Sequence, residues 1–350
     1  MKVHSWMFRS VGEPFSWEER EEVPQINEVI VAVAGCGVCH TDLGFYFEEV
    51  PTRHPLPLVL GHEVSGTVVE AGPGAEEWLG RTVIVPAVIP CGSCPACLEG
   101  HASICPEQVF PGCDVHGGYG THLRVPAHGL CPVDDLPPSL TLADLSVVAD
   151  AVTTPYQAIH RSGLAAGDLA VFVGVGGVGG FGVQIASALG AHVVAIDVRE
   201  DRLELLSKHG AELCLPVKDS NRRDLKKAVA AFAKKAGIPT WRWRIFETSG
   251  HVAGQELAFE LLRHRSSLAI VGYTAEKISI RLSNLMAFDA TVFGNWGCVP
   301  ELYPAALDLI RKEKVQLLPF VEQRPLSTMN ETFDEVHRGA AGRRVVLCPE

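Results

Sequence analysis

The chain has 350 residues, 47% of them apolar and 20% charged, with 30 basic and 41 acidic side chains for a net charge of −11. That much apolar material excludes a disordered chain, and the acidic balance argues against a general nucleic-acid binder. At ~100–200 residues per domain, the length predicts two domains.

The opening residues, MKVHSWMFRSVGEPFSWEEREE, carry no apolar run behind a basic start. No secretory leader is expected, and the protein reads as cytoplasmic. EVIVAVAG (28–35), GTVVEAG (66–72) and RTVIVPAV (81–88) are short apolar runs bounded by Gly and Pro, which predicts a strand-rich first part with few helices. Between these runs lie CGVCHTD (36–42) and GHEVSG (61–66), which supply Cys39, His62 and Glu63. Cys36 and Cys39 form a C-x-x-C, so a redox pair is one alternative.

Eleven cysteines are many for a reducing compartment. Four of them, Cys91, Cys94, Cys97 and Cys105, follow the spacing C-x2-C-x2-C-x7-C. Four thiolates can enclose a tetrahedral zinc with no open position, so this set predicts a structural metal site.

Near residue 153 the pattern changes to alternating strands and helices. Strands are expected at 169–173, 192–196, 212–216, 244–248, 267–271 and 291–295, and helices at 178–189, 199–209, 222–236 and 253–263. This alternation predicts a doubly wound parallel sheet. Residues 169–191 are uncharged and long enough to imitate a membrane span, but their glycines point elsewhere. Gly174, Gly176 and Gly179 form G-x-G-x-x-G between a strand and a helix, with Gly177 and Val178 inside the turn. That arrangement lets the backbone approach a dinucleotide pyrophosphate. Asp197 ends the next strand, where a carboxylate meets the ribose hydroxyls and opposes a 2′-phosphate. NAD is therefore expected over NADP, with Arg199 and Arg202 as the opposing signal. Beyond 296, residues 300–314 read as a helix and 343–349 as a strand.

Taken in order, the GCGVCHTD segment, the GHE motif, the four-cysteine loop and the glycine fingerprint resemble those of the zinc-dependent medium-chain alcohol dehydrogenases. The resemblance covers essentially the whole chain. It implies an α/β protein with a GroES-like β-rich catalytic domain at 1–152 and 296–350 and a Rossmann domain at 153–295. It implies NAD, two zinc ions per chain, a small-molecule substrate and a homo-oligomer (dimer or tetramer). Carried over by position, Cys39 and His62 match catalytic zinc ligands, and Glu63 a carboxylate that can approach the metal. Asp42 matches a residue that orients the site, and Thr41 the hydroxyl that takes the substrate proton. His40 and Arg343 match contacts to the cofactor pyrophosphate. Cys36 then becomes a packing residue.

Two positions depart from the family pattern. Asp150 stands where many members have a third cysteine ligand, which implies a Cys/His/Asp site. Gly44 stands where many members carry a proton-relaying histidine. Residues 83–94, 146–158, 281–288 and 294–309 resemble a branch of the family that oxidises a ring alcohol of a CoA thioester. Arg53, His54 and the helix carrying Lys226, Lys227, Lys234 and Lys235 are the basic candidates for its phosphates. A free polyol, amino alcohol or simple alcohol as substrate is the alternative, and a non-catalytic NAD-binding protein of the same fold is the other.

Overall fold

The computed structural model describes residues 1–217 and 221–350. It divides into two compact units, one of Met1–Thr153, Gly297–Arg311 and Leu317–Glu350, the other of Thr154–Trp296 and Lys312–Gln316.

In the first unit the ten-residue strand Glu28–Gly37 is the organising element. It pairs antiparallel with Glu63–Ala71, with His122–Pro126 and, at its end, with Arg344–Cys348. The sheet continues through Thr82–Val85 to Cys131–Pro132 on one side and to Val321–Pro325 on the other. Val29, Val31, Val64, Val83, Val85, Leu123, Val345 and Leu347 bury their side chains in one apolar core with Phe333 and Tyr119. Burying a side chain of this size contributes ~1.5–3 kcal/mol each, which holds the sheet against the chain entropy. A second small sheet joins Ser16–Glu21, Lys2–Phe8 and Leu58–Val59.

The register decides the chemistry. Gly37 lies opposite Glu63, so Cys39, two residues past the end of one strand, falls beside His62, one residue before the next. Gly37 also lets the Glu63 carboxylate lie flat on the strand, since a Cβ there would collide with Oε2. The helix His40–Phe47 then starts at Cys39, and Asp42 in its first turn accepts the Cys39 N–H at 3.1 Å. The periodicity of this region predicts a strand-rich part with few helices, and this helix is not among the expected elements. The helix is short, spans Gly44 and is fixed by that buried cap more than by an apolar stripe.

The second unit is a six-stranded parallel sheet. Its spatial order is Leu213–Pro216, His192–Asp197, Leu169–Val173, Trp243–Glu247, Ser267–Ile270 and Thr291–Gly294. In chain order this is 3-2-1-4-5-6, the doubly wound arrangement. Leu169–Val173 is wholly buried, as a central parallel strand must be. The stretch that imitates a membrane span is this strand followed by the helix Gly179–Ala188. Among the described residues, no helix is long and apolar enough to cross a membrane.

Candidate active site

Four donor groups converge in the first unit: Cys39, His62, Glu63 and Asp150, with ligand atoms within 4.8 Å of one another. Asp150 ends the 3₁₀ segment Ala143–Ala149, which Ser65 Oγ ties to the sheet by donating to Leu142 O at 2.6 Å. Its Oδ2 stands 3.6 Å from His62 Nε2 and 3.8 Å from Cys39 Sγ. Ligands bound at ~2.0–2.3 Å in a tetrahedron stand about 3.3–3.8 Å apart, so these three donors fit one zinc ion. The remaining tetrahedral position is left for water or substrate, as in the catalytic zinc sites for which alcohol dehydrogenases are a standing example.

His62 is 2% exposed, and its other ring nitrogen, Nδ1, lies 3.2 Å from Asp42 Oδ1. That contact directs Nε2 at the cluster, the usual outer support of a metal-binding histidine. Burial alone would push the His62 pKa down, yet Asp42, Cys39 and Asp150 around it hold it well above the ordinary value. Sulfur, imidazole and carboxylate donors gathered in this way suit a bound cation.

Glu63 is fully buried and belongs to the same cluster, but both of its oxygens are engaged. Arg344 donates to Oε2 and Oε1 at 2.7 and 2.5 Å, and Ala151 N donates to Oε1 at 3.1 Å. Glu63 is therefore held behind the three other donors, balanced by a guanidinium. Sequence reasoning missed Arg344; its neighbour Arg343, expected at the cofactor pyrophosphate, is exposed. Nothing in the string RRVV distinguishes the two arginines; the pairing of Leu347 with Cys36 does, because it fixes how the strand faces the cluster. Thr41 and His40 lie on the exposed side of the same helix start, and Thr41 Oγ1 is 3.8 Å from Cys39 Sγ. Cys36 is buried in the apolar core of the first unit, as expected of a packing residue.

The four-cysteine loop draws its sulfurs together. Cys94 Sγ lies 3.5 Å from Cys97 Sγ and 3.7 Å from Cys105 Sγ. Cys91 Sγ accepts the Cys94 N–H and Cys105 Sγ the Cys91 N–H, both at 3.3 Å. Backbone donors from Ser93 and Cys94 pull the Cys91 thiol down to about 7. Four sulfurs at ~2.3 Å from a common centre stand about 3.8 Å apart, so the loop fits a second zinc with no position left open.

In the second unit Gly174 adopts φ +85, and a side chain there would run into the backbone of Ser249. Glu247 fixes that turn by accepting from Ser249 N at 2.8 Å and Gly250 N at 3.2 Å. Gly176 faces the Arg202 guanidinium, Gly177 is exposed, and Val178 leads into the helix that Gly179 begins. Asp197 Oδ2 accepts the Val175 N–H at 2.6 Å, and Oδ1 accepts the Arg199 N–H at 2.8 Å. Its carboxylate thus sits at the glycine turn. Arg199 itself is paired with Asp201 at 2.7 Å. Three of the six basic candidates for a polyphosphate are also engaged: Arg53 with Asp114 at 2.5 Å, Lys226 with Glu260 at 2.6 Å and Lys227 with Asp224 at 3.6 Å.

Comparison with known proteins agrees with this geometry. Residues 25–135 match the alcohol dehydrogenase GroES-like domain, and residues 177–312 match the zinc-binding dehydrogenase family. An alcohol dehydrogenase of Geobacillus stearothermophilus is 31% identical over 331 residues, covering 93% of this chain and 94% of that protein. Galactitol 1-phosphate 5-dehydrogenase of Escherichia coli (strain K12) is 27% identical over 346 residues, 94% of each chain. The crystal structure of the alcohol dehydrogenase from Aeropyrum pernix superposes with a TM-score of 0.85 at 27% identity, covering 99% of this chain and 100% of that one. With its GroES-like domain, its Rossmann sheet and two donor sets that each fit zinc, the chain belongs to the zinc-dependent medium-chain alcohol dehydrogenases, oxidoreductases that act on CH–OH groups with a nicotinamide cofactor.

Proposed function

We propose that this chain is an NAD-dependent dehydrogenase of a secondary ring alcohol, with Cys39, His62 and Asp150 as the protein ligands of its catalytic zinc. The observation that carries the reading is the convergence of these three donors, with His62 Nδ1 held by Asp42. When bound, the metal supplies Lewis acidity that lowers the pKa of an alcohol, and the nicotinamide supplies a hydride acceptor. The protein's own part is to place and deprotonate the alcohol. Thr41, exposed at the helix start, takes the hydroxyl proton as it releases its own to solvent. Asp42 fixes the ring of His62, and Arg344 keeps the Glu63 carboxylate charge-balanced behind the ligands. His40, Arg343 and the glycine turn serve the cofactor pyrophosphate. Asp197 selects NAD, since a 2′-phosphate beside its carboxylate would meet a like charge.

The substrate in this proposal is a β-hydroxyacyl CoA thioester, 6-hydroxycyclohex-1-ene-1-carbonyl-CoA, oxidised to the conjugated 6-oxo enone within anaerobic benzoyl-CoA degradation. Its support is the likeness of residues 83–94, 146–158, 281–288 and 294–309 to the dehydrogenase of that compound. Two of these stretches contribute Cys91 and Asp150. The test compares kcat/KM for the CoA thioester, its free hydroxy acid and a panel of polyols and simple alcohols. Remote binding energy from the CoA moiety supports turnover as well as binding, so the thioester should exceed the free acid by orders of magnitude. Equal efficiency with the free acid, or a preference for a polyol, refutes the CoA reading and leaves the alcohol dehydrogenase standing. Loss of all alcohol oxidation with two zincs bound refutes both.

A further inference from the structure

Tyr119 is completely buried, and its hydroxyl donates to Asp42 Oδ2 at 2.8 Å. Asp42, also completely buried, gathers both segments that carry the cluster's donors. Its Oδ2 accepts the Cys39 N–H at 3.1 Å, and its Oδ1 accepts the Gly61 N–H at 3.1 Å and faces His62 Nδ1 at 3.2 Å. Three of these four partners belong to the Cys39 and His62 segments, and Tyr119 is the one that comes from elsewhere.

The tyrosine is itself rigidly seated. Residues 117–119 pair with the chain leading into His62, through Gly117 N to Val59 O at 2.7 Å, Gly118 N to Gly61 O at 2.8 Å and Tyr119 N to Leu60 O at 3.1 Å. Its ring packs so closely on Gly61 that a Cβ there would touch it at 3.0 Å. The hydroxyl also lies 3.1 Å from Gly37 O, at the end of the strand that delivers Cys39. The ring thus spans the gap between the two ligand-bearing segments, and its hydroxyl locks the carboxylate that joins them.

We propose that Tyr119 is a positioning residue of the catalytic metal site, acting through Asp42 to hold His62 and Cys39 in the geometry that binds zinc. The physical basis is direct. Without the hydroxyl, Asp42 Oδ2 keeps only the Cys39 N–H and Oδ1 the Gly61 N–H and the His62 ring, so the carboxylate is held less firmly about its Cβ–Cγ bond. Oδ1 then fixes His62 Nδ1 less tightly, and the ring that presents Nε2 is less well oriented. Removing partners of this kind costs ~10–100-fold in metal affinity. The inference rests on the reading of Cys39, His62 and Asp150 as a metal site.

The test uses the full-length protein, loaded with zinc or with cobalt at the catalytic position. Tyr119→Phe removes one oxygen and keeps the ring. The expected result is a ~10–100-fold loss of affinity for the catalytic ion in chelator competition, an altered cobalt absorption spectrum, and an unchanged four-cysteine zinc and NAD affinity. In a double-mutant cycle with Asp42→Asn the two effects should fail to add, because both act on one link. Unchanged metal affinity and cobalt spectrum in Tyr119→Phe, or full additivity in the cycle, overturns the proposal while leaving the metal site intact. A wild-type protein that binds only one metal ion per chain overturns the metal-site reading and this proposal with it. Should Tyr119→Phe not fold, replacement by 3-fluorotyrosine keeps ring and hydroxyl but makes the hydroxyl a stronger donor. A shifted cobalt spectrum then supports the link, and an unshifted one overturns it.

Discussion

Arg344 backs the donor cluster through Glu63: its Nε and Nη2 meet the two carboxylate oxygens at 2.7 and 2.5 Å, with the arginine side chain 6% exposed and the glutamate fully buried. Two charges this deep are tolerable only together, since breaking a buried pair from one side costs ~3–5 kcal/mol. Arg344→Gln should therefore destabilise the protein by about that amount in denaturant unfolding. Arg343→Gln, at an exposed neighbour, should stay within about 0.5 kcal/mol. The reverse ranking would move the buried partner of Glu63 to Arg343.

Asp150 and Cys94 separate the two metal sites. Asp150→Ala leaves Cys39 and His62 as a two-ligand remnant. It should lose the catalytic zinc and nearly all turnover while keeping the four-cysteine zinc and NAD binding. Asp150→Cys restores an anionic ligand and should recover part of the metal binding. Cys94→Ser opens a loop whose sulfurs stand 3.5–3.7 Å apart and which contributes few side chains to the core. Zinc binding there is folding free energy, so the midpoint of thermal unfolding should drop by several degrees while folded molecules still turn over. Metal content per chain, measured beside activity, reads both. A Cys94→Ser protein with wild-type stability and no turnover would reverse the assignment of the two sites.

What the sequence made legible follows from how local each signal is. The four-cysteine spacing and the glycine fingerprint are contiguous, and both carry their geometry in the string itself. The six parallel strands were readable because each is a short apolar run alternating with helix-length segments. Their limits shifted by a residue or two, as at Trp243–Glu247 and Leu213–Pro216. The three-donor cluster is different. Cys39, His62 and Asp150 are joined by strand register and by a 3₁₀ segment, and no local pattern encodes register. The same reason hides Arg344 and Tyr119, which reach the cluster from 281 and 77 residues away from Glu63 and Asp42. The helix His40–Phe47 was missed because its start is set by Asp42, a carboxylate whose other partners lie at Gly61, His62 and Tyr119.

His116 gives a pH signature away from either metal set. Its Nδ1 accepts the Val59 N–H at 3.2 Å, so a proton there would face another donor. Burial, and then Arg20, His54 and Arg124, lower its pKa to about 4, with Glu22 opposing. The folded-state value lies below the unfolded one of ~6.5, so the unfolded chain binds the extra proton first. The stability His116 contributes is complete above pH ~6.5 and is lost as the pH falls toward 4. His116→Asn keeps an acceptor for Val59 without a titrating ring. The difference in unfolding free energy between wild type and variant should shrink, or change sign, between pH 6.5 and 4.5. A difference constant over that range would show that His116 does not titrate in this window.

Asp197 should decide the nicotinamide cofactor, and its two roles can be separated. One oxygen holds the glycine turn through Val175 N at 2.6 Å, and the other holds Arg199 N at 2.8 Å, so the carboxylate is placed before any ribose arrives. Asp197→Asn keeps an acceptor for the turn but removes the negative charge. NADP should then gain efficiency relative to NAD, because the repulsion of its 2′-phosphate is gone while Arg199 and Arg202 remain nearby. Asp197→Ala removes both functions. Hydrogen bonds to charged groups contribute ~1.5–3 kcal/mol, so NAD binding should weaken by about tenfold or more, with the Val175 N–H left without its partner. Steady-state kcat/KM with both cofactors across the three proteins is the measurement. Wild-type protein that uses NAD and NADP equally well would remove Asp197 as the selector, and an Asp197→Asn variant that still rejects NADP would show that the turn's shape, not its charge, makes the choice.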